Sequence, residues 1–177
     1  MSKKRLLIVV DMQNDFIDGA LGTPEAVAIV PKVRKKIEGY RRSGDPVIFT
    51  RDTHGPDYPE TQEGRRLPVP HCIAGTDGWQ IYPALDVSGC ELADKPSFGS
   101  LPLAGRVAEL DRENGGFGYI ELVGLCTDIC VISNALILKA ALPETELRVD
   151  PECCAGVTPE SHLNALAAMR MCQIVVE

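Results

Sequence analysis

The apolar residues of this chain form short continuous runs that alternate with stretches of helical spacing. Residues 6–10 are all apolar, which is typical of a parallel strand covered on both faces. Thr23-Pro24-Glu25 then has the signals of a helix start, and the apolar positions between residues 30 and 40 are spaced three and four apart. The chain is therefore predicted to begin with a strand followed by an amphipathic helix.

The same alternation continues to the last residue. Five further strands are predicted, at residues 46–50, 90–93, 119–123, 146–149 and 173–176. Helices are predicted between the later strands, at residues 103–115, 127–142 and 159–171. This order, without repeats or a linker, predicts one domain over residues 1–177. Its expected fold is a three-layer, doubly wound α/β fold with a mostly parallel six-stranded sheet and helices on both faces.

One long stretch, residues 51–78, does not follow the alternation. It is rich in proline and glycine, and it holds two of the three histidines. Irregular segments longer than about 12–15 residues in a compact domain usually have a function. We therefore expect this stretch to contribute to a site.

Composition narrows the class of protein. The chain has 177 residues, of which 45% are hydrophobic and 24% charged, which excludes a disordered chain, a collagen and a coiled coil. The net charge is −7 and there is no basic block, so we expect neither a nucleic-acid partner nor a membrane surface. No segment approaches the ~18 apolar residues of a membrane span.

The number of cysteines and the N-terminal residues indicate the cellular compartment of the protein. Seven cysteines, an odd number without a repeating spacing, do not suggest a secreted disulfide framework. Lys3-Lys4-Arg5 is followed by only five apolar residues, fewer than the ~7–15 of a signal peptide. We therefore expect a cytoplasmic protein.

We look for candidate catalytic residues directly after the predicted strands, because sites in such sheets form outside the carboxyl ends of the strands. Residues 124–130, GLCTDIC, run from a strand into a helix and place Cys130 in the first helical turn. Free backbone N–H groups and the helix dipole there favour a thiolate and could hold an oxyanion. The alternative, which this context alone favours, is that Cys126 and Cys130 are small buried apolar residues.

Two charged residues also follow strands. Asp11 closes the first apolar run, where it could act as a general base or simply order a loop. Lys95 follows the third predicted strand, where a lysine is usually just solvated. Next to Asp11 and a thiol, however, its ammonium group would stabilise the anionic forms of both.

Asp52 and His54, a carboxylate and an imidazole close together, and a second imidazole at His71 suit a divalent transition metal. Glu63 lies between them in the same long stretch. Their spacing is not that of a zinc finger. Cys72 is interpreted as a non-ligand, because an extended segment would point its side chain away from that of His71.

The remaining histidine and cysteines are given structural roles. His162, in the last predicted helix, is expected to be exposed or to cap. Cys90, Cys153, Cys154 and Cys172 are expected in the core. For the vicinal pair Cys153-Cys154, after the fifth strand, a strained disulfide is the alternative.

Taken together, five blocks resemble the isochorismatase-like cysteine hydrolases, most closely the nicotinamidase (pyrazinamidase) group. The blocks are DMQNDF at 11–16, TRDTH at 50–54, PHC at 70–72, KPSF at 95–98 and GLCTDIC at 124–130. The resemblance implies a catalytic triad of Asp11, Lys95 and Cys130. It also implies a cis peptide bond between Leu125 and Cys126, and an oxyanion hole formed by the backbone N–H groups of Cys126 and Cys130.

The resemblance further implies a metal site and a pocket. Asp52, His54 and His71 match the metal ligands directly, and Glu63 fits a variant in which glutamate replaces a third histidine. Zinc is the expected ion, with iron or manganese as alternatives. The pocket positions are matched by Phe16, Leu21, Phe98 and Leu125. The Trp that nicotinamidases often carry before the His-Cys pair is absent, since residues 67–70 are Leu-Pro-Val-Pro.

The resemblance thus implies an enzyme that hydrolyses a small aromatic amide, nicotinamide to nicotinate and ammonia being the leading hypothesis. The expected partners are this small-molecule substrate and further copies of the chain in a homo-oligomer. Alternatives on the same fold are a carbamoyl-amide hydrolase and an isochorismatase. An alternative of another class is a non-catalytic metal- or redox-responsive binding protein.

Overall fold

The computed structural model describes residues 3–177 and contains one sheet of six parallel strands. Their order across the sheet is β3-β2-β1-β4-β5-β6. The strands are β1 (Leu6–Val10), β2 (Val47–Asp52), β3 (Glu91–Lys95), β4 (Ile120–Leu125), β5 (Leu147–Ala155) and β6 (Val175–Val176). The order reverses between β1 and β4, so the ends of these two strands form the topological switch point at which doubly wound folds bind ligands.

Helices cover both faces of the sheet. They are α1 (Asn14–Ile17), α2 (Pro24–Arg42), α3 (Gln62–Arg66), α4 (Leu101–Glu113), α5 (Ile132–Ala141) and α6 (Pro159–Met171). The buried residues of α2 pack on one face of the sheet, and those of α4, α5 and α6 pack on the other. The predicted three-layer α/β fold is confirmed.

The position of β1 in the sheet explains why its sequence is continuously apolar. Leu6, Ile8 and Val10 belong to the core beneath α4, α5 and α6, whereas Leu7 and Val9 belong to the core beneath α2. All five side chains are fully buried. A strand at the centre of a sheet that is covered on both faces has no solvent side, so it needs no polar alternation.

Most strands extend further at their carboxyl ends than the apolar runs predict. β2 continues through Arg51 and Asp52, and β3 through Asp94 and Lys95, because these residues still pair in the β2–β3 ladder. The predicted ends were wrong because ladder hydrogen bonds, not side-chain hydrophobicity, decide where a strand stops. Both Asp52 and Lys95 therefore lie on strands, not on loops. At the end of the chain β6 is shorter than predicted, with two residues.

Two other predictions of local structure need correction. The helix expected at 127–142 consists of a π-helical turn, Thr127–Val131, followed by α5. In this turn the N–H of Val131 donates to the carbonyl of Cys126, five residues earlier. The stretch 51–78 is not wholly irregular, since it contains a 3₁₀ turn, Tyr58–Glu60, and α3.

The cysteines are only partly where the sequence placed them. Cys153 and Cys154 are buried but lie within β5, one in each core. The core expectation is wrong for Cys172, which is exposed, whereas Cys90 is half-buried and packs against the core beneath α2. All seven cysteines are free thiols. Within residues 3–177 no helix has the length and hydrophobicity needed to cross a membrane.

Gly124 allows the two central strands to approach closely. It pairs with Val10 in the ladder and has a φ of +115°, a region that favours glycine. A β-carbon at this position would lie 2.1 Å from the carbonyl oxygen of Val10, which is a backbone atom and cannot rotate away. The switch point therefore requires a glycine here.

We predict that Gly124→Ala lowers the free energy of unfolding by about 3 kcal/mol, because the methyl group clashes with backbone in a strained conformation. The matched control is Gly105→Ala, within α4, where an added β-carbon meets nothing within 4 Å. That change should stabilise the protein by roughly 0.5–1 kcal/mol through helix propensity. Urea denaturation followed by circular dichroism measures both, and equal stability of Gly124→Ala and wild type would contradict the argument.

Candidate active site

Three charged or nucleophilic side chains meet at the switch point. Asp11 directly follows β1, Lys95 ends β3, and Cys130 lies in the π-helical turn after β4. The Nζ atom of Lys95 lies 2.7 Å from Oδ2 of Asp11 and 3.4 Å from Sγ of Cys130. All three are buried, and Lys95 is only 1% exposed. The sequence prediction placed these residues together, and the fold does so.

Asp11 is held in a left-handed backbone conformation, with φ of 48°. The hydroxyl of Thr50, on the neighbouring strand β2, donates to its Oδ1 at 2.6 Å. Burial raises the pKa of Asp11 above its ordinary value, although the charge of Lys95 opposes this shift. A buried carboxylate with a raised pKa is a stronger base than an exposed one. Thr50 was missed as a partner of the site, since a threonine in an apolar strand gives no distinctive signal.

Lys95 remains an ammonium group in this environment. Burial alone would lower its pKa, but the negative charges of Asp11 and Asp52 raise it above the ordinary value. A lysine so enclosed by acidic groups supplies a fixed positive charge.

The protonation state of Cys130 differs from the one that its position in the sequence suggests. Burial raises the pKa of the thiol well above its ordinary value, the charge of Asp11 adds to this, and Lys95 only partly opposes it. The expectation that the start of the helix favours a thiolate is therefore wrong for the resting protein. The thiol proton has to be removed by a base, and the carboxylate of Asp11 is close enough to the thiol to accept it.

Cys126, four residues before Cys130, is half-buried. Its peptide bond with Leu125 is cis, as the sequence analysis predicted. Its carbonyl oxygen accepts hydrogen bonds from the N–H groups of Ile129 and Val131. Burial raises the pKa of its thiol to about 12.

The four predicted metal ligands converge beside this triad. One donor atom from each of Asp52, His54, Glu63 and His71 lies within 4.8 Å of the others. Asp52 Oδ2 is 3.0 Å from His54 Nε2 and 3.7 Å from His71 Nε2. Ligands about 2.0–2.2 Å from one ion lie roughly 3–4 Å apart, so these separations suit a single metal ion.

The surroundings orient these donors. The Nδ1–H of His71 donates to the carbonyl of Val69 at 2.8 Å, which leaves Nε2 free to bind a metal. Burial would raise the pKa of Asp52, but the hydrogen bond with His54 and the charge of Lys95 hold it below the ordinary value. Glu63 reaches the group because α3 begins one residue before it. Two carboxylates and two imidazoles, already oriented, fit a divalent transition metal.

Gln13 holds Asp52 in place, a function that sequence reasoning missed. Its Nε2 donates to the carbonyls of Asp52 and Trp79, both at 2.9 Å, and its Oε1 accepts the N–H of Asp52 at 2.7 Å. Gln13 is fully buried. Gln13 follows the end of β1 by three residues, and only its burial shows the role, because a buried amide requires partners for its polar atoms.

A cavity of about 570 Å³ joins the thiol to the metal-binding group. The four predicted pocket residues, Phe16, Leu21, Phe98 and Leu125, all line it, as do Cys126 and Cys130. The ring of Phe16 lies 5.4 Å from that of His71, between centroids. The site therefore combines a mostly apolar slot with a nucleophile and a candidate metal centre.

His162, expected to be exposed or to cap, is half-buried, and its Nδ1 lies 2.7 Å from the hydroxyl of Thr127. Cys72 is buried and has a φ of 46°, so the segment is not extended there as assumed. Neither residue belongs to the metal-binding group.

Comparison with protein-family models matches the Isochorismatase domain over residues 5–177. The chain belongs to this family. A curated relative, the nicotinamidase/pyrazinamidase of Mycobacterium tuberculosis, is 28% identical over 183 residues, with 96% of each chain covered.

Two solved structures show the same fold. The pyrazinamidase of Pyrococcus horikoshii, solved in complex with zinc, superposes with a TM-score of 0.83 at 28% identity, covering 98% of both chains. The N-carbamoylsarcosine amidase of Thermoplasma acidophilum superposes with a TM-score of 0.79 at 32% identity, covering 98% of this chain and 95% of that one.

The comparisons confirm the predicted isochorismatase-like family and fold, and a hydrolase that acts on amide bonds. They favour an enzyme over a non-catalytic binding protein. The roles of individual residues stay predictions, as does the identity of the metal.

We predict that His71→Ala weakens zinc binding by at least about 100-fold, because it removes one of four convergent ligands. The matched control is His162→Ala, which changes the histidine outside the metal-binding group and should bind zinc as wild type does. Isothermal titration of metal-free protein with zinc measures both. Unchanged affinity of His71→Ala would remove His71 from the site.

Glu63→Gln separately tests Glu63, the ligand that matches only a variant of the family's metal site. It should weaken zinc binding by about tenfold or more, because a neutral amide replaces a carboxylate. Glu60→Gln, an exposed change three residues earlier, is its control. Equal zinc affinity of the two variants would exclude Glu63 and leave the other three ligands in place.

Proposed function

We propose that this chain is a metal-containing cysteine amidohydrolase that converts a small aromatic amide to its acid and ammonia, with nicotinamide as the leading substrate. The observation that carries the proposal is the buried contact of Lys95 with both Asp11 and Cys130, beside a cavity that also holds four metal-binding side chains. Relatives described as nicotinamidases and pyrazinamidases support the choice of substrate.

The first step is transfer of the Cys130 proton to Asp11. Burial disfavours the thiolate, so this transfer requires a base with a raised pKa and a nearby positive charge. Asp11 is that base, and Lys95 stays protonated between the two groups. The product of this step is a thiolate in contact with the ammonium group of Lys95.

The thiolate then attacks the carbonyl carbon of the amide. The backbone N–H groups of Cys126 and Cys130 stabilise the resulting oxyanion, and one such donor is typically worth about 3 kcal/mol. Asp11 returns its proton to the leaving nitrogen, the C–N bond breaks, and ammonia departs, leaving a thioester on Cys130. Asp11 next takes a proton from water, whose hydroxide attacks the thioester. The C–S bond breaks, the carboxylic acid leaves, and Asp11 returns the proton to the thiolate, which restores the thiol of Cys130 and the carboxylate of Asp11.

The metal-binding group would orient the substrate. Asp52, His54, Glu63 and His71 would hold a divalent ion, for which zinc is our first choice and iron or manganese are alternatives. When bound, such an ion supplies a Lewis-acid site for the nitrogen of a pyridine ring. Phe16 and Leu125 provide the apolar walls for that ring.

We further propose that the enzyme acts in the cytoplasm as a homo-oligomer on a freely diffusing substrate. Several apolar side chains that cover no core in the described chain fit an oligomer, among them Leu101 and Leu163.

A carbamoyl-amide hydrolase is the second candidate, since the amidase of T. acidophilum shares 32% of its residues with this chain. That reaction would use the thiol without needing the metal-binding group. The convergence of Asp52, His54, Glu63 and His71 is the observation that favours an aromatic nitrogen ligand.

Ammonia release from nicotinamide, pyrazinamide, benzamide and N-carbamoylsarcosine tests the proposal, with metal analysis on the same preparation. We expect turnover of the two amides with a ring nitrogen to exceed that of benzamide, and to fall when the metal is removed by a chelator. Turnover of N-carbamoylsarcosine alone, independent of metal, would establish the second candidate instead.

We predict opposite behaviour of the two cysteines in the cavity. Cys130→Ala should abolish ammonia release, because no nucleophile remains, yet still bind nicotinamide. Cys126→Ala should keep substantial activity, since alanine retains the backbone N–H and is no larger than the thiol. A nicotinamide pulse, acid quench and mass spectrometry should locate an acyl adduct on Cys130.

Cys172→Ala, an exposed change far along the chain, is the control and should leave turnover unchanged. Full turnover by Cys130→Ala, or an acyl adduct on Cys126, would overturn the assignment of the nucleophile.

A further inference from the structure

The cavity has a buried floor and an exposed mouth. Its floor contains Asp52, His71 and Cys130, which are nearly inaccessible to solvent. Its mouth includes Phe98, which is 45% exposed, and Val157, which is 53% exposed. A substrate whose amide reaches Cys130 therefore has one end in the protein and the other toward solvent.

The cavity is also larger than the proposed substrate requires. At about 570 Å³ it lies within the ~300–1,000 Å³ range of pockets that hold drug-sized ligands. A single-ring amide occupies only part of such a volume. With the ring between the metal-binding group and the thiol, the unfilled part is the side toward the mouth.

Arg66 is the only lysine or arginine that lines this cavity, taking residues 3–177 into account. It ends α3, and Gln62, four residues earlier on the same helix, lines the cavity as well. Both side chains are exposed. The mouth thus has a guanidinium group and an amide, one helical turn apart.

Arg66 is not neutralised by the protein. Within residues 3–177 it forms no ion pair and no side-chain hydrogen bond, although the chain carries a net charge of −7. The arginines that do pair with carboxylates at 2.5–3.1 Å include Arg5, Arg41, Arg51, Arg106 and Arg148.

The acidic residue nearest to Arg66 along α3 is directed elsewhere. Glu63 Oε1 lies 3.7 Å from His54 Nε2 and 3.8 Å from His71 Nε2, so its carboxylate belongs to the metal-binding group. The positive charge of Arg66 is therefore available to a ligand in the mouth of the cavity.

We propose that Arg66, assisted by Gln62, selects aromatic amides that carry an anionic oxygen substituent, a carboxylate or a phosphate, on the side away from the amide. This inference rests on the proposed function and specifies its substrate class. A guanidinium group binds such oxygens through two parallel hydrogen bonds, which a neutral substituent cannot accept equally well. Gln62 can add a neutral N–H donor.

The experiment compares substrates that differ only in this substituent. Nicotinamides with a 2-carboxyethyl, 2-phosphonoethyl, 3-hydroxypropyl or 2-aminoethyl group at ring carbon 5 or 6 are tested with metal-loaded protein. The measured quantity is the ratio of kcat/KM for each charged compound to that for the hydroxypropyl compound. We expect a preference of about tenfold for an anionic compound at low ionic strength, which shrinks as salt screens the charge.

Three variants separate selectivity from stability. Arg66→Gln should abolish the anionic preference, and Arg66→Glu should reverse it in favour of the aminoethyl compound. The matched control is Arg65→Gln, since Arg65 donates to the carbonyl of Glu60 and does not line the cavity. It should keep the wild-type ratio. A purely structural role of Arg66 would change all substrates alike and leave the ratio unchanged.

The outcome is readable whether or not the proposed function holds. Failure to hydrolyse any amide, including nicotinamide, would contradict the proposed function, and the same ratios are then measured as dissociation constants by calorimetry. A preference for the carboxylate or the phosphonate compound identifies which anion is recognised. No anionic preference in either ring series, or equal ratios for Arg66→Gln and Arg65→Gln, would overturn this inference.

Discussion

The buried ammonium group of Lys95 is the constraint on which the rest of the site depends. A charge removed from water is costly unless opposite charges and hydrogen-bond acceptors surround it. Here Asp11 lies 2.7 Å away and Asp52 3.4 Å away, and both are themselves buried. These carboxylates can stay ionised inside the protein because Lys95 is there, and Lys95 can stay charged because they are.

Asp52 connects this charge cluster to the metal-binding group. One of its oxygens faces Lys95, while the other lies 3.0 Å from His54. Its backbone is fixed by Gln13, which extends from the end of β1 to the end of β2. The Lys95 charge cluster and the metal-binding group therefore share one carboxylate, so a movement of β2 relative to β1 would disturb both.

The two ends of the cavity serve different purposes. At the floor, burial raises the pKa of the Cys130 thiol, and the nearby charge of Asp11 raises it further. At the mouth, the exposed side chains of α3 that line the cavity, Gln62 and Arg66, lie outside this charge cluster. An isochorismatase-family chain can in this way change its substrate without changing its catalytic groups.

The sequence by itself determined the fold and most of the site. Apolar runs alternating with helical spacing admit few arrangements other than a doubly wound sheet. The resemblance of five blocks to a known family pointed to Asp11, Cys130 and His71, because Asp11 and Cys130 taken alone can each be explained by a structural role. Only the tertiary structure decided the rest. The ends of β2 and β3 depend on ladder partners in distant segments, and the pKa of Cys130 depends on burial beneath several elements. Whether the charge of Arg66 at the cavity mouth is paired likewise depends on which residues surround it. Each of these features depends on contacts between residues that are far apart in the chain, and a local sequence pattern does not contain those contacts.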